Sequence, residues 1–330
     1  MWVNLLIAVI KSVVIIGLLL LGFAYMTYLE RKVVAHMQSR IGPNRAGPRG
    51  LLQPMADGIK LLLKEDIVPA DADRVVFWLA PALAVVTAII GFAVIPIGAP
   101  ITLFGRTIPL QLADINVAVL YVLAASSLAV YGVVLAGWSS NNKFSLLGGL
   151  RASAQLISYE LALGLSVIGV IMLAGSLSLT DIVAAQRPLP FIVLQPLGFL
   201  IFAICAVAET KRAPFDLPEA EQELVAGFHT EYSGLKFTLF FMAEYIAMIT
   251  MSAMATTLFL GGWKGPFLSN VLGPVWFGLK VLFLLFVFVW IRASWPRVRY
   301  DHLMGFGWKV LLPLGLLNVF ITAVGVVLVG

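Results

Sequence analysis

The sequence predicts an all-α, polytopic membrane protein with about eight transmembrane helices and an amphipathic helix in its first cytoplasmic loop. Three observations lead there. Hydrophobic residues make up 61% of the 330 and charged residues only 12%, with a mean hydropathy of +0.99, a balance that belongs in lipid rather than water. Apolar runs at 3–29, 75–97, 113–138, 153–174, 190–209, 236–260, 272–292 and 308–329 are each long enough to cross a bilayer. Lys and Arg concentrate in alternate loops, 30–74, 139–152, 210–236 and 292–309, while the intervening loops hold only Arg106, Arg187 and Lys264. That asymmetry places the basic loops in the cytoplasm and both termini outside. It also accounts for the net charge of +5 without a nucleic-acid partner. No internal repeat or second domain is visible, so residues 1–330 form a single integral membrane domain.

The first run has its basic residues, Arg31 and Lys32, after the apolar stretch, and it is too long for a secretory signal, so it is expected to remain as a span. The Pro and Gly of "RIGPNRAGPRG" then deny a regular helix. In "LLQPMADGIKLLLKED", Gln53, Asp57, Lys60 and Lys64 recur at helical spacing opposite Leu52, Met55, Ile59, Leu62 and Leu63, with Pro54 suited to a first turn. Such a helix lies on the membrane surface or packs on the bundle; both readings stand. Trp138, Trp263, Trp276, Trp290 and Trp308 fall near span ends, where lipid anchoring explains them.

Redox chemistry finds no ligands here. Cys205 is the single cysteine, and His36, His229 and His302 all lie outside the apolar runs, so neither an iron–sulfur cluster nor a membrane haem is supported.

Acidic groups in the spans are more informative, because an ionisable side chain in lipid costs roughly 2.5 kcal/mol or more. Glu160, Glu209 and Glu244 fall in the inner half of three spans, with Glu30 near the cytoplasmic rim. Each has a plain alternative in pairing with Arg212 or Lys236, or in snorkelling. Three at similar depth favour a wet, acidic path, since burial and neighbouring carboxylates bring such groups within reach of protonation near neutral pH. The outer half offers chiefly Lys11 and Lys280. Six of the seventeen Asp and Glu residues lie in "AETKRAPFDLPEAEQELVAGFHTEY": Glu209, Asp216, Glu219, Glu221, Glu223 and Glu231. If "PEAEQE" is helical, Glu219 and Glu223 share a face and Glu221 takes the other. Phe215, Leu217, Leu224, Val225 and Phe228 in the same loop point to burial against another subunit. In "WIRASWPRVRYDHLM", Arg292, Arg297 and Arg299 serve topology, and Asp301 neutralises one of them.

At these residues the chain resembles, over nearly its whole length, the family of membrane subunits at the quinone end of respiratory complex I, known as the H subunit in bacteria and as NADH dehydrogenase subunit 1 in mitochondria. "ERKVVAHMQSRIGPNRAGPRGLLQPMADGIKLLLKE", "GWSSNNKFSLLGGLRASAQLISYE", "AETKRAPFDLPEAEQELVAGFHTEYSG" and "WIRASWPRVRYDHLM" are similar to the family's four cytoplasmic loops. His302 stands where some relatives carry glutamine. The resemblance implies a subunit of a proton-translocating NADH-quinone oxidoreductase in the bacterial inner membrane. It would sit between a hydrophilic redox arm and antiporter-like membrane subunits, with lipid around it. It further implies quinone as substrate and no cofactor of the chain's own, with NADH, FMN and iron–sulfur clusters in partner subunits. A proton path is then expected through Glu160, Glu209, Glu244, Asp216, Glu219, Glu221, Glu223 and Glu231. Loop position together with the resemblance puts Arg31, Arg40, Leu52, Met55, Ile59, Phe215, Phe228, Arg292 and Arg299 at the quinone chamber. Two alternatives are an independent cation/proton transporter, disfavoured by the missing outer carboxylate layer, and the corresponding subunit of a membrane-bound hydrogenase, disfavoured by the full first and fourth loops.

Overall fold

A computed structural model describes residues 2–103, 106–187, 189–219 and 221–329. The first run becomes α1, Trp2–Met37, which stays helical well past the apolar stretch and so carries Glu30 and Arg31 on a rigid rod. The glycine- and proline-rich segment after it is held by Tyr28 Oη donating to Arg49 O at 2.8 Å and Lys32 Nζ to Pro43 O at 3.0 Å. The amphipathic stretch forms α2, Gln53–Leu63, with Pro54 in its first turn as expected. Next, α3, Arg74–Phe92, is capped by Asp73, whose carboxylate accepts from the backbone N–H groups of Val75 and Val76.

Between the second and third spans a short antiparallel hairpin, β1 Ile101–Leu103 and β2 Arg106–Ile108, pairs Ile101 with Ile108. The third span is α4, Ala118–Ser139. The fourth, α5, begins at Lys143 rather than 153 because Asn142 caps it, and runs to Ala174, where Gly175 at φ 67° ends it. The fifth run is divided. After α6, Leu179–Ala185, come α7, Phe191–Leu194, and α8, Pro196–Glu209, with the break at Gln195, whose neighbour Pro196 disfavours helical backbone before it. At 14 residues, α8 reaches only about 21 Å. The remaining elements are α9 Glu221–Leu224, α10 Gly234–Phe259, α11 Ser269–Ser294, and a helical stretch from α12, Tyr300–Phe306, through a π turn at Gly307–Leu311 into α13, Leu312–Val329. Among the described residues, seven helices are long and apolar enough to cross a membrane, with α8 as a shorter eighth. This is the expected all-α polytopic fold.

The most buried spans, α5 and α10, form the centre. α5 packs on α4, α8 and α13, and α10 on α3, α8, α11 and α1. Close approach, not flight from water, drives helix association in lipid, so small residues matter at crossings. A Cβ on Gly132 of α4 would lie 3.0 Å from Ala84 Cβ of α3. On Gly148 of α5 it would lie 2.6 Å from Phe228 N, so this glycine lets the acidic loop fold tightly onto the bundle.

Candidate functional site

The acidic loop 210–233 is folded inward. Gln155 of α5 donates from one amide nitrogen to Ala208 O at 2.8 Å and to Phe215 O at 2.9 Å, and Val298 N reaches Pro214 O at 3.1 Å. Buried side chains meeting backbone carbonyls in this way fix a loop that could not otherwise leave water. Two charged assemblies result.

The first surrounds Arg212, whose guanidinium is buried. Its Nε lies 2.5 Å from Glu244 Oε1 of α10, its Nη1 donates to Glu30 Oε1 of α1 at 3.1 Å, and its Cζ lies 4.3 Å from the centroid of the Tyr245 ring. Glu30 also accepts from Tyr245 Oη at 2.8 Å and pairs with Arg292 of α11. Thus α1, α10, α11 and the loop are joined through four charged groups.

The second is a cavity of about 70 Å³ whose wall includes Glu209, Lys211, Glu219 and Glu244, room for a few water molecules. Hydroxyl-bearing Thr87, Ser126 and Thr250 line it from α3, α4 and α10, and Phe228 closes part of it. The Thr250 hydroxyl is buried without a hydrogen-bond partner among the described residues. Glu160 is hydrogen-bonded by Ser127, the neighbour of Ser126 on α4, and its charge acts on Glu209. A series of ionisable groups therefore runs from Glu160 through Glu209 and the cavity to Glu244, Arg212, Glu30 and Arg292. Carboxylates held near one another, with water-sized space between them, are suited to proton exchange.

The other expected residues separate into groups. Glu219 lines the cavity, but helix α9 starts only at Glu221, so Glu219 and Glu223 do not share a helical face. Glu223 instead pairs with Arg151 of α5 at 2.5 Å, and that hydrogen bond holds its carboxyl below the usual range. The side chain of Glu221 lies outside the described residues. Glu231 accepts from Asn142 Nδ2 at 2.6 Å, beside the α5 cap. Asp216 is partly buried in the loop. His229 is buried against Phe228 and Phe237, and burial together with Lys211 pushes its pKa down to about 4.

Of the residues expected at a quinone chamber, Leu52 just before α2 and Met55 and Ile59 within it are exposed, and Arg31 binds Asp57 of the same helix at 2.6 Å. Phe215 and Phe228 are buried instead, Phe215 packing against Tyr159 and Phe228 at the acidic cavity. Arg40 is exposed, and Arg299 pairs with Asp301 at 3.1 Å. Among the described residues Lys236 pairs with Asp66 and not with a glutamate. It is fully buried, 2.9 Å from Asp66, with its ammonium 3.8 Å from the Trp78 ring. Sequence reasoning passes over Lys211, Ser127 and Tyr245, whose importance comes from what the folded loop brings to them.

Comparison with known proteins agrees with the loop-by-loop resemblance. The family model described as NADH dehydrogenase matches residues 10–323. The NADH-quinone oxidoreductase H subunit of Syntrophotalea carbinolica is 56% identical over 320 residues, covering 97% of this chain and 96% of the relative. The H subunit of Thermomicrobium roseum is 58% identical over 97% and 96%, and the second H subunit of Geobacter sulfurreducens 61% identical over 91% and 90%. With matches of this extent, the chain belongs to the NADH dehydrogenase family, alongside these H subunits of NADH-quinone oxidoreductase.

Proposed function

We propose that the chain is the membrane subunit of a proton-translocating NADH-quinone oxidoreductase, forming the membrane side of the quinone chamber and coupling quinone reduction to proton movement through its buried carboxylates. The observation that carries this reading is the inward fold of the acidic loop, which sets Glu219 beside Glu209 and Glu244 on the wall of one cavity. Family membership supports the rest: a redox arm supplying NADH oxidation, flavin and iron–sulfur clusters, antiporter-like subunits alongside, and quinone arriving from lipid. The exposed apolar face of α2 is the part of the chain best suited to meet a long apolar substrate. The basic loops support an orientation with α2 and the acidic loop at the cytoplasmic face of a bacterial inner membrane and both termini outside. Labelled cysteines at Lys143 and Lys264 reacting from opposite sides check this orientation, and same-side labelling contradicts it.

The test removes charge and keeps shape. Glu160→Gln, Glu209→Gln and Glu244→Gln in the assembled enzyme should each lower proton-coupled quinone turnover far more than assembly. Normal turnover and proton stoichiometry in all three would leave structural pairing as their only role.

A further inference from the structure

Among the described residues Lys211 is the one amine in the acidic cavity, and the turn that ends α8 puts it there. Its backbone N–H bonds to Ala208 O at 3.2 Å and its φ is 55°, a left-handed residue at a helix end where a cation is also favoured by the terminal carbonyls. This turn separates two adjacent cations. Arg212 goes to Glu30 and Glu244 in short, fixed pairs, whereas Lys211 faces the cavity wall shared with Glu209, Glu219 and Glu244. Its ammonium stands 5.7 Å from the Phe228 ring, which lines the same cavity. An ammonium on a flexible four-carbon stem, lining one small cavity with three carboxyls, can swing between them.

Building on the proton path proposed above, we propose that Lys211 is a proton-exchanging group in that path, passing protons between Glu209 and Glu244. In the forward step the Lys211 ammonium gives a proton to the Glu244 carboxylate. An N–H bond breaks, an O–H bond forms, and the electron pair stays on nitrogen. The neutral amine then takes the proton of the Glu209 carboxyl, which returns to carboxylate, so charge and protons balance at each step. Arginine cannot do this, because its guanidinium does not give up its proton in proteins. Burial lowers the pKa of Lys211 while Glu244, Glu209 and Glu219 oppose the shift, so its neutral form lies closer to hand than that of a surface lysine. Besides these three carboxyls, His229 interacts with it from the loop, and Glu160 acts through Glu209.

A fixed counter-ion would occupy the same place, and substitutions in the assembled enzyme separate the two roles. Lys211→Met and Lys211→Arg are measured for assembly, electron transfer from NADH to an artificial acceptor, quinone turnover and proton pumping, beside Glu209→Gln and Glu244→Gln. Proton exchange predicts that both lysine variants assemble, keep the artificial-acceptor rate and lose at least about tenfold in coupled turnover. Lys211→Arg with normal turnover overturns the proposal, since charge alone would suffice. Should either variant assemble poorly, Lys211→His decides: an imidazole exchanges protons at lower pH, so turnover should persist with its optimum moved to lower pH, and an unmoved profile overturns the proposal. If the two glutamate variants are themselves silent, the proton-path reading fails. If they are impaired while Lys211→Met is normal, only the role of Lys211 fails.

Discussion

Arg212 Nε lies 2.5 Å from Glu244 Oε1, and the same guanidinium donates to Glu30 at 3.1 Å, so one buried cation from the acidic loop neutralises carboxylates on two different spans. Neither carboxylate would be tolerated there alone, because removing one partner of a buried pair strands the other. The two are not equally exposed to that risk. Glu30 keeps Arg292 and the Tyr245 hydroxyl.

Arg212→Met should therefore act mainly through Glu244, destabilising the assembled subunit by roughly 3–5 kcal/mol. Adding Glu244→Gln should restore most of the lost assembly but not turnover. Native gels and thermal inactivation of the single and double variants check this. No recovery in the double variant would mean that Arg212 acts through something other than this pair.

The Lys236 site predicts an unequal outcome for its two partners. The ammonium is 1% exposed between Phe77 and Trp78, while Asp66 is 36% exposed and can be solvated alone. Asp66→Asn should lower stability by about 1–3 kcal/mol by leaving a buried charge under-compensated. Lys236→Met should cost less, since an apolar stem fits between the rings and leaves no orphan. Because Ser233 next to this site also accepts from Ile67 N at 3.1 Å, loss here should loosen the segment joining α2 to α10, visible as faster hydrogen exchange at 64–67. The reverse order of stabilities would refute the argument.

His229 makes stability depend on pH. Its folded pKa is depressed from 6.5 to about 4 by burial and Lys211, so between those values the unfolded chain binds the extra proton and the folded one does not. Stability is then complete above about pH 6.5, falls as pH drops towards 4, and changes no further below it. The loss is on the order of 3 kcal/mol. His229→Phe keeps the ring contacts with Phe228 and Phe237 and removes the titration, so its thermal inactivation should change less than the parent's between pH 7 and pH 5. An identical change in both proteins would exclude His229 as the cause.

The spans and the acids within them are legible in the sequence because composition and the cost of charge in lipid act locally along the chain. The departures have local causes as well. Helix α5 begins at Lys143 because Asn142 caps it there and the backbone of "FSLLGGLRASAQ" is helical although not strongly apolar, and the fifth run breaks where Pro196 follows Gln195. The hairpin at Ile101–Ile108 carries too few residues for an alternating pattern to stand out. Pairing is less legible. Helical spacing groups Glu223 with Glu219, but a four-residue helix leaves one with Arg151 at the surface and the other at the cavity. The opposite directions taken by Lys211 and Arg212 depend on the turn after α8, and no spacing rule anticipates them.

Leu52 just before helix α2 and Met55 and Ile59 within it are 49%, 65% and 57% exposed, apolar surface left uncovered beside Arg31 and Asp57, whose ion pair ties the helix to α1. If quinone passes this face, a charge placed there meets an apolar tail and must be desolvated with it, an unfavourable exchange that weakens binding without touching the redox arm. Met55→Glu should raise the apparent quinone KM several-fold and alter sensitivity to quinone-site inhibitors, with assembly and NADH oxidation by an artificial acceptor unchanged. Met55→Leu, apolar and of similar volume, should behave as the parent. Arg292→Ala provides a contrast from the other side: Arg292 pairs with Glu30, so its loss should disturb the charged series as well as quinone affinity, lowering turnover at saturating quinone where Met55→Glu does not. Unchanged quinone kinetics in an assembled Met55→Glu enzyme would remove this face of α2 from the substrate's route.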